Sequence, residues 1–218
     1  MSLQSRMKTK IKICGITNFE DAAAAVKLGA SFLGLNFFAG SPRGLTPDAA
    51  ANLAGEIKEE FPRIPLVGVF VDESAEKIRL LAELCELDIL QLHGHESPEF
   101  CAQFSEPVWR AFRVENENSL DDLQQFLGLA GIVLDAFKKG QFGGTGQTFD
   151  WQLIHKVRDE LPFFILAGGM TPGNVARAIE QLRPDVVDVC SGVEVENNPR
   201  KKDLAKMREL FEVVKKLS

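Results

Sequence analysis

Eight β-type runs alternating with eight amphipathic stretches predict an α/β chain folded as a single (β/α)8 barrel of the TIM type. Two further observations agree. No Pro- or Ser-rich linker divides the 218 residues. No GxGxxG follows an early strand, so the fingerprint of a dinucleotide-binding open sheet is missing. A doubly wound open sheet is the alternative, because strand number alone does not exclude it. Residues 1–10 are expected to be a disordered lead-in, and residues 11–218 to form one barrel domain.

Each element has a local cause. The first strand, Ile11–Ile16, is an apolar run that reaches Cys14, turns at Gly15 and enters the amphipathic stretch Phe19–Leu28. The second, Phe32–Phe37, leads to Pro47–Phe61, where Thr46 offers a cap and Pro47 suits the first helical position. The third, Leu66–Val71, precedes Ala75–Leu84, capped by Ser74. The fourth, Ile89–His93, precedes Pro98–Phe104, capped by Ser97. The fifth, Val108–Val114, is followed by Leu120–Phe126, and the sixth, Gly131–Ala136, by Trp151–Glu160. The seventh, Phe163–Ala167, precedes Pro172–Leu182, for which Thr171-Pro172 reads as a second cap and first-turn proline. The eighth, Val186–Cys190, leads to Leu204–Leu217. The longest non-periodic segments, Phe38–Leu45 and Phe137–Phe149, follow strands two and six, on the catalytic face of a barrel.

Side chains two apart on a strand share a face. Bulky apolar residues suit the face covered by helices. The polar set then points inward: Lys12, Cys14, Gln91, His93, Arg110, Asp135 and Asp188. Strands one and eight are neighbours in a closed barrel. Lys12 and Asp188 are therefore expected to meet, since buried charges must pair.

Composition narrows the function. The formal charge of −6 and a pI near 5.2 argue against a nucleic-acid partner. No apolar run approaches ~18 residues, so no membrane span is expected. The polar start, Met1–Lys10, lacks the apolar core of a signal peptide. Cys14, Cys85, Cys101 and Cys190 match neither a zinc pattern nor a CxxC pair. They read as reduced thiols in a cytoplasmic protein, with no metal site. Cys85 and Cys101 fall in helical stretches and read as small apolar core residues.

Three glycine-rich turns look suited to an anion: Gly168-Gly169 after strand seven, Ser191-Gly192 after strand eight, and Gly143-Gly144-Thr145-Gly146 after strand six. Glycine turns are ordinary connectors one at a time. In barrels, however, the loops after strands seven and eight commonly hold phosphate. No lysine follows the last glycine of GGTGQT, so a Walker loop is excluded. Arg43, in the loop after strand two, is either a solvated charge or a fork for a substrate carboxylate. Cys14 and Asp135 end strands one and six across the mouth from one another. A thiolate and a carboxylic acid there would deprotonate carbon and protonate oxygen. A free thiol titrates near ~8.5, so Lys12 or nearby N–H donors would have to lower it. Asp135 also has a plain reading, as a helix-cap or loop hydrogen-bonding residue. His93 reads as an interior core residue, His95 as a turn residue and His155 as a helix residue.

Taken together, KICGIT (12–17), SPR (41–43), GVFV (68–71), QLHG (91–94), LD (134–135), FGGTGQTFDW (142–151), LAGGMTPGNV (166–175) and VDVCSGVE (187–194) resemble the phosphoribosylanthranilate isomerases of tryptophan biosynthesis. The resemblance implies a stand-alone isomerase that uses neither cofactor nor metal and performs an Amadori rearrangement. N-(5-phosphoribosyl)anthranilate would become 1-(2-carboxyphenylamino)-1-deoxyribulose 5-phosphate. It implies Asp135 as general acid on the ribose ring oxygen, Cys14 as general base at C2, and Arg43 on the anthranilate carboxylate. Gly168, Gly169, Ser191 and Gly192 would cradle phosphate, with Gln91 and Asp188 as further polar pocket residues. The expected partner is this small phosphosugar–anthranilate substrate, with no nucleic acid and no membrane, in a monomer or homodimer. Cys190 stands where the family often has serine, a change expected to act on the phosphate loop. Ala136-Phe137 stands where polar residues are common. Related phosphosugar barrels are rivals. An indole-glycerol-phosphate synthase would want a lysine and glutamate set, and a pentose-phosphate epimerase metal-binding histidines. A non-catalytic phosphosugar-binding barrel would not need both Cys14 and Asp135.

Overall fold

The computed structural model describes residues 8–135 and 151–217. Eight parallel strands close a barrel in chain order: β1 (Lys10–Ile13), β2 (Phe32–Asn36), β3 (Leu66–Phe70), β4 (Ile89–Leu92), β5 (Val108–Arg113), β6 (Gly131–Asp135), β7 (Phe164–Ala167) and β8 (Val186–Val189). The seam between first and last strands is in full register, with Lys12 opposite Asp188 and Ile13 opposite Val189. Helices α1 (Phe19–Leu28), α2 (Pro47–Glu60), α3 (Ala75–Leu84), α4 (Pro98–Cys101), α5 (Gln152–Val157), α6 (Val175–Leu182) and α7 (Leu204–Lys216) lie between and after them. Among the described residues no helix is long and apolar enough to cross a membrane.

The expected caps Thr46, Ser74 and Ser97 hold, and Asn18 caps a fourth helix. Asn18, Thr46, Ser74 and Ser97 each accept a backbone N–H from the first turn. The Thr171-Pro172 start does not. There α6 begins at Val175, because Asn174 folds the preceding turn: its Oδ1 accepts from Thr171 N at 2.8 Å and its Nδ2 donates to Gly169 O at 2.9 Å. That Asx-type turn, with Gly173 in it, keeps the segment out of helix. The stretch Leu120–Phe126 is also not one helix. It forms two 3-10 turns, Glu117–Leu120 and Leu123–Phe126. Ser119 Oγ accepts from Glu115 N and Asn116 N, an alternative to helical bonding. The fourth helix is one turn long, ending at Cys101 rather than at Phe104. An unforeseen antiparallel hairpin, β9 (Glu194–Val195) with β10 (Asn198–Lys202), follows the eighth strand.

Two buried clusters explain the layers. One lies between barrel and helices. The other fills the barrel, with Phe32, Val67, Ile89, Trp109, Val133 and Ile165 among its members. Trp109 meets Phe32 edge-on, with ring centroids 5.1 Å apart.

This packing corrects the inward placing of Arg110. Trp109 and Ala111 take the inward positions of β5, so Arg110 faces the helices. Its guanidinium lies over Phe112 at 5.1 Å and Phe126 at 5.5 Å. It donates to the carbonyls of Glu96, Leu92, Gly94 and Ala111, with Glu96 Oε2 3.7 Å away. The rule that bulky apolar residues face outward fails here because a tryptophan fills the barrel.

Above the apolar filling sits Lys12, wholly buried, donating to Asp188 Oδ2 at 2.8 Å and Gln91 Oε1 at 2.9 Å. Burial opposes the ammonium's charge, but Asp188 and Cys14 outweigh it and hold its pKa above the usual lysine range. Removing one partner strands the other charge. Lys12→Met should lower unfolding free energy by about 3–5 kcal/mol, and Lys12→Met with Asp188→Leu should recover much of that loss. Urea denaturation of both variants checks this.

Candidate active site

The C-terminal end of the barrel gathers the ionisable groups. Cys14 follows β1 and is buried; its N–H donates to Val189 O at 2.9 Å, which extends the seam by one step. Gly15, at φ +69°, then turns the chain toward α1. A glycine on the neighbouring strand makes the space. A Cβ on Gly34 would lie 2.8 Å from Cys14 Sγ and 3.1 Å from Lys12 Cε. Continuing the seam brings Cys190 beside Cys14, with Cys190 Sγ 3.7 Å from Glu194 Oε1.

That contact sets the chemistry of the pair. The neighbouring Cys190 is the main influence holding the Cys14 thiol well below its usual range; burial opposes, and Lys12 and Lys202 assist. Cys190 moves the other way, raised chiefly by the neighbouring Cys14 and then by burial. The effect of Cys190 is thus exerted on Cys14 through its thiol. Expected only as a change to the phosphate loop, it reaches the nucleophile-capable group itself.

Asp135 ends β6, its side chain about one-sixth exposed, with Oδ2 3.2 Å from His93 Nε2. His93 is interior, as alternation implies, and its N–H donates to Phe70 O at 2.8 Å. Its ring nitrogen makes no aligned hydrogen bond among the described residues. His93 was missed as a site residue. Its inward position one residue past β4 was the signal available.

Asp188 lies beneath. Burial pushes its carboxyl up to about 6, Lys12 partly offsetting this, and both Cys14 and Asp135 add to the rise. Cys14, Asp135 and Asp188 therefore share one interior. Gln91 is buried there with them through its bond to Lys12.

Arg43 reaches the same mouth but is already engaged. Its Nε and Nη2 donate to Glu194 Oε1 and Oε2 at 2.6 Å each. Glu194 holds the Arg43 pKa above its ordinary value, against burial. Arg43 is therefore not a lone solvated charge but is paired with Glu194 at the mouth. Glu194, in the quoted VDVCSGVE run, was not singled out.

The turns after β7 and β8 interlock. Gly168 and Gly169 have φ of +90° and +64°. A Cβ on Gly192 would fall 1.9 Å from Met170 O, so the Ser191-Gly192 turn packs directly on the turn after the seventh strand. The third glycine cluster, Gly143–Gly146, lies outside the described residues, as do Ala136 and Phe137.

A closed (β/α)8 barrel with a lowered thiol, a carboxyl group and glycine turns at its C-terminal mouth is the architecture of a barrel enzyme. Residues 11–213 match the N-(5'-phosphoribosyl)anthranilate (PRA) isomerase family, and the chain belongs to that family. The N-(5'-phosphoribosyl)anthranilate isomerase of Geotalea uraniireducens is 45% identical, covering 96% of this chain and 100% of its own length. The crystal structure of phosphoribosyl anthranilate isomerase from Thermotoga maritima is 38% identical, with a TM-score of 0.87, covering 95% of this chain and 99% of that one. A further such isomerase structure, in complex with reduced 1-(o-carboxyphenylamino)-1-deoxyribulose 5-phosphate, is 37% identical with a TM-score of 0.84 over 95% of this chain and 99% of its own.

The four thiols differ sharply in environment. Burial pushes Cys85 and Cys101 up to about 11 each, and Cys190 is raised too. Only Cys14 is lowered, which makes it the most readily ionised of the four. Native protein treated with iodoacetamide at neutral pH should be carboxamidomethylated at Cys14 first, with activity lost in parallel. Peptide mass spectrometry checks the order; preferential labelling of another cysteine would refute it.

Proposed function

We propose that this chain converts N-(5-phosphoribosyl)anthranilate into 1-(2-carboxyphenylamino)-1-deoxyribulose 5-phosphate, as a step of tryptophan biosynthesis. The observation that carries this reading is the lowered Cys14 thiol at the end of β1, sharing an interior with Asp135 at the end of β6, in a member of this isomerase family.

Asp135 gives a proton to the furanose ring oxygen. The bond from that oxygen to C1 breaks, and the anilino nitrogen supplies the electrons that form the Schiff base. The Cys14 thiolate then takes the proton from C2, whose acidity is raised by the adjacent iminium. The resulting enolamine tautomerises to the ketone product. His93 sits against Asp135, with Nε2 3.2 Å from Oδ2. The Cys14 base must be anionic before each turnover, and its lowered pKa meets that requirement.

Binding divides between two ends of the substrate. The phosphate sits on Gly168, Gly169, Ser191 and Gly192, where glycines let backbone N–H groups approach an anion. The anthranilate carboxylate meets Arg43. Asp188 and Gln91, fixed from below by Lys12, face the sugar hydroxyls. A reduced, cytoplasmic setting belongs to the same reading, since the base works only as a free thiol.

Cys14→Ala should abolish turnover while leaving product affinity nearly unchanged. Asp135→Asn should slow turnover on the order of 10²–10⁴-fold, the usual scale for a general acid. Steady-state fluorescence assays of both variants, with product binding by calorimetry, test the assignment. Activity within a few-fold of the parent in either variant would remove that residue from its role.

A further inference from the structure

Arg43 is held at the mouth by a residue with its own anchors. Glu194 is buried, and besides its two bonds from Arg43 it takes one from Lys202 Nζ at 3.0 Å. Lys202 is buried as well, and its backbone N–H is fixed by Asp21 Oδ2 on α1 at 2.7 Å. The hairpin β9–β10 brings Glu194 and Lys202 together, since they are register partners there. The stem of Arg43 is confined too. A Cβ on Gly15 would lie 2.5 Å from Arg43 Cδ and 3.0 Å from Cys190 Sγ. Arg43 thus lies across the turn that immediately follows Cys14.

The unused part of the guanidinium is as informative as the used part. An arginine side chain carries five N–H groups in one plane. Glu194 takes the Nε group and one from Nη2. The outer edge, Nη1 with the other Nη2 hydrogen, makes no hydrogen bond among the described residues. That edge is a second planar fork of the kind that receives a carboxylate through two parallel bonds. The charges agree. Arg43 and Lys202 are cations and Glu194 is an anion, its carboxyl held below the ordinary range by Arg43 and Lys202 despite burial. One positive charge is left for an incoming anion.

We propose that Glu194 is a positioning residue: it fixes the plane of Arg43 so that the outer fork meets the carboxylate on the substrate's aromatic amine, and thereby sets the preference for a carboxylated amine. The proposal rests on the reading that Arg43 receives that carboxylate. A guanidinium released from Glu194 would be free to swing, and misplacement by an ångström at a reacting centre is costly. The contrary role, Glu194 competing with substrate for Arg43, predicts the opposite sign, since neutralising Glu194 would then strengthen carboxylate binding.

The test is calorimetric. Two ligands are compared: reduced 1-(o-carboxyphenylamino)-1-deoxyribulose 5-phosphate, and the same molecule without its carboxyl group. Four proteins are used: the parent, Arg43→Ala, Glu194→Gln, and Glu194→Gln combined with Lys202→Met. The double variant leaves no unpaired ammonium in the interior, so it serves if the single one folds poorly. The Glu194 variants should reduce the preference for the carboxylated ligand on the order of tenfold, with the other ligand's Kd changing by less than about twofold. A preference that is unchanged or increased, including equal weakening of both ligands, overturns the proposal. Arg43→Ala separates the two levels of argument. If it keeps the parent's preference, the carboxylate role of Arg43 falls. If it loses the preference and the Glu194 variants keep it, only the role of Glu194 falls.

Discussion

The seam between β1 and β8 governs the site, and the buried Lys12–Asp188 pair governs the seam. A charge at that depth must have a partner. The pair is met only when Lys12 stands opposite Asp188, which is the observed register. A slip of one residue would turn one of the two side chains to the helical layer. Two residues further along, the same register sets Cys14 beside Cys190. The neighbour that lowers the Cys14 thiol is thus set in place by the register that the ion pair one layer beneath requires. Strand closure, charge pairing and thiol chemistry are one constraint seen at three levels.

A thiol base has two needs in tension. It must be ionised at neutral pH, yet it must still want a proton. Strong bare cations would satisfy the first and defeat the second. Here each lysine near Cys14 already has a carboxylate: Lys12 has Asp188 at 2.8 Å and Lys202 has Glu194 at 3.0 Å. What remains is a neutral thiol, Cys190, and two partly neutralised ammonium groups. Such surroundings lower a pKa without making the thiolate inert.

Periodicity made the barrel legible. Each of the eight strands appears within a few residues of its expected place, because a two-residue alternation bounded by caps and glycines is a local signal. The Lys12–Asp188 pair was legible for the same reason, with closure supplying the neighbour. The Arg110 placement was not. Its orientation depends on which of Trp109 and Arg110 the barrel interior accepts, and that depends on Phe32 across the barrel. The α6 start was obscured because Thr171-Pro172 carries a genuine cap pattern, and only Asn174 reaching back to Thr171 and Gly169 displaces it. Glu194 was hidden for a different reason. Its partner Arg43 lies 151 positions away and joins it through a hairpin with little periodic signal. Single-residue chemistry was visible in the sequence, whereas pairings across loops were not.

One gradient in the sequence does explain why the opening exists at all. Along the inward face, five strands give up volume or gain polarity over one step of two residues toward their C-terminal ends. Phe32 is followed by Gly34, Trp109 by Ala111, Ile165 by Ala167, Ile89 by Gln91, and Val186 by Asp188. The large members fill the lower barrel at the density of any protein interior. The small ones, above them, occupy less of the cross-section and leave room for the polar groups. The polar ones line the mouth and carry its charge. Gly34 shows the principle at a single residue: its missing side chain is the space that Cys14 and Lys12 occupy. Because both the apolar floor and the polar mouth come from the same strands in the same register, the barrel cannot close without also forming the site.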